Sequence, residues 1–275
     1  MRIYKSINNN IVSAFDDNGR EVVVIGKGIG YKASKGTLIP HEKISKIFVM
    51  SSQDNLDKLK NLFSQLQKEY IEITDEILTY AKAQLNKQIN ENAYFTLADH
   101  ISFAVSRIRS GMCFQNLLTT EVRRFYPEEF DIGLYAIKLM KDKIGVDMPE
   151  DEAASIALHI LNAQYDISYS EGFKATQLLG VIIDTITECT GKEIDANSYY
   201  GERFIAHLKY LVQRIIRNEP PPLGDDWAYD LMKDRHPNEI ACCEAVAQGI
   251  LQTHQCKLLK HEIGHMAMHI RRITL

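Results

Sequence analysis

Hydrophobic positions in the first 50 residues fall in short, strand-like runs, and from there the pattern shifts to the longer period of a helix. The opening region contains RIYKSI, IVSAFD, EVVVIG and KISKIFVM, short runs rich in β-branched residues, with Asp16-Asp17-Asn18-Gly19 between the second and third. Alternation, β-branching and an Asn-Gly turn predict hairpins, and hence a small antiparallel β-sheet domain. A sheet of this size has little core, so one face or edge is expected to be buried in a second copy, giving a homodimer. From Asp54 onward Leu56, Leu59, Phe63, Leu66 and Tyr70 open a long helical tract, and almost no strand signal returns. Asp147-Met-Pro-Glu-Asp-Glu reads as a helix start and Asn218-Glu-Pro-Pro-Pro-Leu-Gly-Asp-Asp as a loop.

The helical body repeats itself. HISFAVSRI, starting at His100, aligns with HLKYLVQRI, starting at His207, and shares a His, an aromatic (Phe103, Tyr210), a Val (Val105, Val212) and an Arg (Arg107, Arg214). EAASIALHI, Glu152 to Ile160, aligns with EIGHMAMHI, Glu262 to Ile270; the pair shares Glu seven residues before the last His and Ala two before it. The offsets, 107 and 110 residues, agree closely enough to indicate a tandem duplication. The expected plan is a β domain over 1–55, a linker or helix start over 56–64, and two tandem all-α helical-bundle domains over 65–170 and 171–275.

Charge adds an asymmetry to this plan. The formal net charge is −4, yet residues 1–50 carry eight Lys or Arg against four Asp or Glu, leaving 24 against 32 in the rest. A basic head on an acidic body favours a polyanionic partner at the head. No apolar run approaches the ~20 residues of a membrane helix, and MRIYKSINNN has no apolar core of a signal peptide. Five cysteines (Cys113, Cys189, Cys242, Cys243, Cys256), an odd number without a C-x-x-C pair, sit in apolar, helical-looking stretches and read as core thiols of a reducing, cytoplasmic compartment.

Two sets of histidines carry candidate chemistry. His261-Glu262-Ile-Gly-His265 has the form of a zinc peptidase helix, which also requires a third ligand and an open position for water. The residues after His265 are too few for a downstream ligand helix, and the longer H-E-x-x-H-x-x-G-x-x-H form is absent. The duplication moreover pairs His269, not His265, with His159, and places Ser155 opposite His265. His100, His159, His207 and His269 therefore supply two imidazoles per repeat, and imidazole serves as a metal ligand, a general base or a phosphoryl-accepting nucleophile. Metal binding would need carboxylates or thiols shared by both repeats; the nearest, Asp99 beside His100, is replaced by Ala206. No phosphate-binding loop of the form G-x-x-x-x-G-K-[ST] occurs, and Gly26-Lys-Gly-Ile-Gly-Tyr31 lacks the last glycine of a dinucleotide motif, so a phosphoryl donor would be another protein.

INNNIVSAFDDNGREVVVIGKGIGYK in the head, TLADHISFAVSRI and ALHILNAQ in the first repeat, and RFIAHLKYLVQRI and AMHIRRI in the second resemble the BglG/LicT-type transcriptional antiterminators across essentially the whole chain. The resemblance implies an RNA-binding homodimer of the head that clamps a hairpin in leader mRNA and prevents a terminator from forming. The matching residues are Asn8, Asn9, Asn10, Gly26, Lys27, Gly28 and Tyr31, with Lys5 nearby. Amides suit base edges, glycines allow close backbone approach, and Tyr31 can stack on an unpaired base. Lys27 stands where the family often has Arg, and Tyr31 where it often has Phe, which removes a planar guanidinium from residue 27. The resemblance further implies that His100 and His159 receive phosphate from the EIIB domain of a sugar-specific permease, and His207 and His269 from the phosphocarrier HPr. It implies neither a cofactor nor catalytic turnover. Two other readings are a zinc hydrolase on His261, Glu262 and His265, and a phosphorylation-controlled interaction protein whose head does not bind RNA.

Overall fold

The computed structural model describes residues 1–49, 52–112, 114–196 and 198–274. Met50, at the end of the fourth β run, and Cys113 lie outside them. The chain divides into two compact units, one of residues 1–116 and 128–166, the other of residues 117–127 and 167–275.

The first unit begins with four antiparallel strands, β1 (Arg2–Asn8), β2 (Ile11–Phe15), β3 (Glu21–Ile25) and β4 (Lys46–Phe48), ordered as in the sequence. Ser13 faces Val23 and Ala14 faces Val22 across β2 and β3. Alternation sends Val12, Ala14, Val22 and Val24 to one face, where Ile3, Ile29 and Ile39 cover them. It sends Ile11, Val23, Ile25 and Phe48 to the other, where Leu56, Leu59, Phe63 and Ile71 cover them. The chain thus covers both faces of the sheet itself. Loop residues also engage one edge, since Ile3 N–H donates to Thr37 O (2.9 Å) and Gly36 N–H to Ile3 O (2.7 Å).

The predicted long tract is two helices, α1 (Gln53–Gln65) and α2 (Lys68–Leu85). Ser52 caps α1 by accepting from Asn55 N–H at 3.2 Å. Leu66 then adopts an extended backbone with ψ 147°. The apolar period runs on through the break because its two halves serve different cores. Leu56, Leu59 and Phe63 pack on the sheet, whereas Tyr70, Ile73 and Ile77 join the helical core. Burying each of the sheet-facing side chains contributes roughly 1.5–3 kcal/mol.

Three more helices complete the first bundle, α3 (Asn92–Arg109), α5 (Pro127–Ile144) and α6 (Glu150–Tyr165), with α4 (Thr119–Phe125) between α3 and α5 in the chain. Its core joins Leu97 and Ile101 of α3, Ile132 and Met140 of α5, and Ile156 and Ile160 of α6. The second unit contains α7 (Tyr169–Thr190), α8 (Tyr199–Ile216), α9 (Trp227–Arg235), α10 (Pro237–His254) and α11 (Lys260–Ile273). It also takes in α4, which packs on α7. Ser168 and Glu171 form a capping box on α7, and Gly191 ends that helix with φ +65°. Cys242 and Cys243 are core residues as expected, but Cys189 is exposed and Cys256 lies in the loop after α10.

Candidate functional site

Two places gather the predicted residues. At one end of the sheet, Asn9 and Asn10 form the turn between β1 and β2. Asn8 Oδ1 accepts from Asn10 N–H at 2.9 Å, and Asn10 Oδ1 accepts from Gly28 N–H at 2.8 Å. Gly26 N–H donates to Asn10 O (2.9 Å) and Gly30 N–H to Asn9 O (3.0 Å), so the asparagine turn and the glycine loop form one knot. Gly28 needs its glycine because φ is +70°, and the space beside it is open. Gly26 has a different reason: a Cβ there would fall 1.8 Å from the Lys43 carbonyl oxygen. Lys5, Asn9, Lys27 and Gly28 are exposed, and Tyr31 presents 62% of its surface with Lys32 Nζ 5.4 Å from its ring. Asn8 is turned the other way, its amide donating to Phe63 O of α1 at 3.1 Å. The outer rim is therefore Asn9, Lys27, Gly28 and Tyr31, with Asn8, Asn10 and Gly26 holding it in shape, while Lys5 is exposed farther along β1, opposite Ser13.

The second place occurs once in each repeat. His100 on α3 and His159 on α6 lie with ring centroids 4.7 Å apart; His207 on α8 and His269 on α11 stack at 5.0 Å with rings 18° from parallel. Each repeat thus brings together two imidazoles that are far apart in the chain. Burial and the neighbouring His100 push the His159 pKa down to about 3. Burial, His269 and His265 push His207 down to about 4 against the opposing charge of Glu262. His269 is lowered by burial and by the charges of Arg272, His265 and Arg203. His159, His207 and His269 are accordingly neutral near pH 7, the form in which a ring nitrogen is a nucleophile.

A carboxylate shared by both repeats stands behind each pair, which corrects the expectation that none does. Glu152, fully buried, forms an ion pair with Arg107, and its second oxygen lies 3.2 Å from His100 Nε2, an electrostatic contact and not an aligned hydrogen bond. Burial pushes the Glu152 pKa up, but His100 and Arg107 outweigh it and hold the carboxyl below its ordinary value. Glu262 accepts from Arg214 Nη2 at 2.6 Å. These arginines link two helices through nearly buried pairs and are not surface salt bridges. The signal was in the sequence, as the Glu recurring seven residues before the last histidine of each repeat.

The two glutamates differ in their second oxygen. Each occupies the third position of its helix, α6 or α11. Glu262 reaches back to accept from the N-cap Leu259 N–H at 3.0 Å. The N-cap of α6 is Pro149, which has no N–H, so the corresponding oxygen of Glu152 is left for His100.

The zinc-like pentapeptide does not share this convergence. His261 is buried against Gly224, where a Cβ would fall 2.7 Å from its ring, while His265 is exposed and Glu262 is engaged by Arg214 and Leu259. Among the described residues no group of three His, Cys, Asp or Glu is arranged to hold a metal ion.

Comparison with known proteins agrees with this division. Residues 1–57 match the CAT RNA binding domain, and residues 75–163 and 181–273 each match the PRD domain. The chain is 33% identical over 274 residues to the transcription antiterminator LicT of Bacillus subtilis (strain 168), covering 100% of this chain and 99% of that protein. The chain belongs to the BglG/LicT-type transcriptional antiterminators. It is also 32% identical to the beta-glucoside operon antiterminator of Dickeya chrysanthemi, covering 99% of this chain and 96% of that protein. The crystal structure of GlcT CAT-PRDI matches with a TM-score of 0.53 and 31% identity, over 59% of this chain and 97% of that one. The basic β head is thus the RNA-binding domain of an antiterminator, followed by tandem PRD domains, and the protein is a regulator, not an enzyme. No helix among the described residues is long and apolar enough to cross a membrane.

Proposed function

We propose that the chain is a cytoplasmic, sugar-responsive antiterminator whose RNA-binding head holds a hairpin in leader mRNA, preventing the overlapping terminator from forming. In this reading the rim of Asn9, Lys27, Gly28 and Tyr31, shaped by Asn8, Asn10 and Gly26, receives the hairpin together with Lys5 on β1. Lys27 meets phosphate, and Tyr31 stacks on an unpaired base. Phosphorylation of histidines sets activity. The EIIB domain of a sugar-specific permease phosphorylates His100 and His159 when its sugar is absent and switches the protein off; HPr phosphorylates His207 and His269 and supports activity.

The observation that carries this reading is the pair of imidazole pairs, at 4.7 and 5.0 Å, built at the same positions of two repeats. Each phosphate adds roughly −1.5 to −2 charges, enough to remake contacts at a dimer surface. Phe103 and Tyr210 stand one turn after His100 and His207 at matching positions and are 63% and 74% exposed. They supply apolar surface beside each pair for the second copy of a homodimer.

Gel shifts with a leader hairpin test the head. Tyr31→Ala is expected to weaken binding by about tenfold, in line with ~1–3 kcal/mol for a stacked base, and Asn10→Ala to weaken it by loosening Gly28; unchanged binding in both would refute the RNA assignment. Purified phosphotransferase components, applied to each His→Ala variant separately, test the switch. Labelling is expected to fall at the substituted site, and labelling identical in all four would refute it.

A further inference from the structure

Each histidine pair has a buried Glu–Arg ion pair behind it, but two further arginines flank the second pair. On α8, Arg203 lies one turn before His207, and on α11 Arg272 lies one turn after His269, spacings that place each arginine on the face of its histidine. Both arginines are exposed, and Arg203 is steadied by a 2.6 Å hydrogen bond from its Nη1 to Tyr199 Oη. His269 itself is fixed between rings, stacked 5.5 Å from Phe204 and 5.0 Å from His207. The charges of both arginines reach the His269 imidazole and oppose its protonation.

The first repeat has neither cation. The duplication places Thr96 opposite Arg203 and Asn162 opposite Arg272. The carboxylates also differ: an oxygen of Glu152 lies 3.2 Å from His100 Nε2 while the matching Glu262 is engaged by Arg214 and the Leu259 N–H, and Asp99, the neighbour of His100, replaces an alanine of the second repeat.

We propose that Arg203 and Arg272 are phosphate-binding residues of the second histidine pair, so that it retains a phosphoryl group that the first pair, bordered by Thr96, Asn162, Asp99 and Glu152, releases. The proposal rests on the phosphorylation reading above and adds to it which residues hold the group and which repeat holds it longer. In the transfer, the lone pair of a neutral His269 nitrogen forms the new N–P bond as the donor's N–P bond breaks. The donor nitrogen leaves with that electron pair, and each ring keeps its own N–H. The phosphoryl oxygens then lie against two guanidinium groups, which form charge-assisted hydrogen bonds to phosphate.

The full chain is phosphorylated in two ways, with potassium phosphoramidate, a small N–P donor needing no docking, and with purified phosphohistidine carrier protein. Residue-resolved mass spectrometry follows the half-life at each histidine. The second pair is expected to keep its label longer than the first. The double variant Arg203→Thr/Arg272→Asn shortens the half-life at His269 roughly two- to fivefold, the size of an exposed charge pair; Thr96→Arg lengthens it in the first pair, and Arg272→Lys preserves most of the wild-type value. Label at His269 with a half-life unchanged in the double variant overturns the proposal alone. Absence of carrier-dependent label at all four histidines of the wild type overturns the phosphorylation reading and the proposal with it.

Discussion

Glu152 and Glu262 occupy the same position of matching helices and bind matching arginines, yet only Glu152 touches a histidine. The difference originates in a residue that touches neither ring. Pro149 cannot offer the N–H that Leu259 offers, so one carboxylate oxygen is redirected from the helix end to His100. Duplication supplied two copies of an imidazole pair backed by an ion pair, and a backbone donor present or absent at an N-cap then made their electrostatics unequal. His100 therefore has a carboxylate oxygen at 3.2 Å, whereas the second pair is flanked by Arg203 on α8 and Arg272 on α11.

The comparison breaks most severely if the glutamates are removed. Removing one partner of a buried pair costs about 3–5 kcal/mol, because the remaining charge stays buried. Glu152→Ala is expected to reach the top of that range, since it leaves Arg107 unpaired and takes a neighbour from His100. Glu262→Ala is expected to cost less, since Glu262 is less completely buried than Glu152 and its removal takes no close carboxylate from a histidine. Hydrogen exchange read separately on α3 and α6 and on α8 and α11 distinguishes the two losses; a Glu152→Ala protein protected as well as wild type would show that the pair holds nothing.

Much of this architecture was legible in the letters, for reasons that also explain what was not. β2 and β3 could be read because both sheet faces are covered, leaving alternate residues in different cores. The duplication could be read because both copies need the same imidazoles, the same Arg and the same Glu. The break at Leu66 was hidden, since an unbroken apolar period does not say that Phe63 serves the sheet and Tyr70 the bundle. The role of Glu152 was hidden because its partners lie 45 and 52 residues away. Asn8 illustrates the same limit at the RNA end, where three consecutive asparagines look alike but one amide is engaged by Phe63 O.

Acid sharpens the comparison next. A histidine whose folded pKa lies below its ordinary value of 6.5 binds fewer protons folded than unfolded, so its contribution to stability falls as pH drops below 6.5 and stops falling near the folded value. For His159 that window runs down to about 3, and for His207 to about 4. Each group is therefore expected to cost its repeat about 2 kcal/mol between pH 6.5 and about 5, at ~1.4 kcal/mol per pH unit. Below that, the loss attributable to the histidine continues further in the first repeat than in the second. Denaturant midpoints followed against pH should flatten in His159→Phe and His207→Phe; curves parallel to wild type would remove buried neutral imidazole as the cause.

Exchanging the N-caps tests the origin of the asymmetry directly, with an effect of about 1 kcal/mol, typical of one helix-cap hydrogen bond. Pro149→Leu restores an N–H at the start of α6, which the free oxygen of Glu152 is expected to accept, withdrawing it from His100. Leu259→Pro removes the donor from α11 and releases the matching oxygen of Glu262 towards His207. Ring nitrogen shifts of His100 and His207 read both changes, and spectra unaltered by either exchange would show that the N-cap does not decide where the second oxygen goes.

The smallest effect concerns a position where the repeats differ in both burial and charge, a buried amide in one and an exposed guanidinium in the other. Asn162 is only 6% exposed, and neither atom of its amide has a hydrogen-bond partner among the described residues. An unsatisfied buried polar group costs roughly 1–3 kcal/mol, and an apolar residue of similar shape escapes that cost. Asn162→Leu is accordingly expected to stabilise the first repeat by about 1 kcal/mol, whereas Arg272→Leu, at the surface, should leave stability nearly unchanged while altering retention of phosphate. A loss of stability in Asn162→Leu would mean that the amide is satisfied in solution. The first repeat would then have its own polar anchor one turn beyond His159, and the contrast with Arg272 would be one of neutral against charged binding, not of absence against presence.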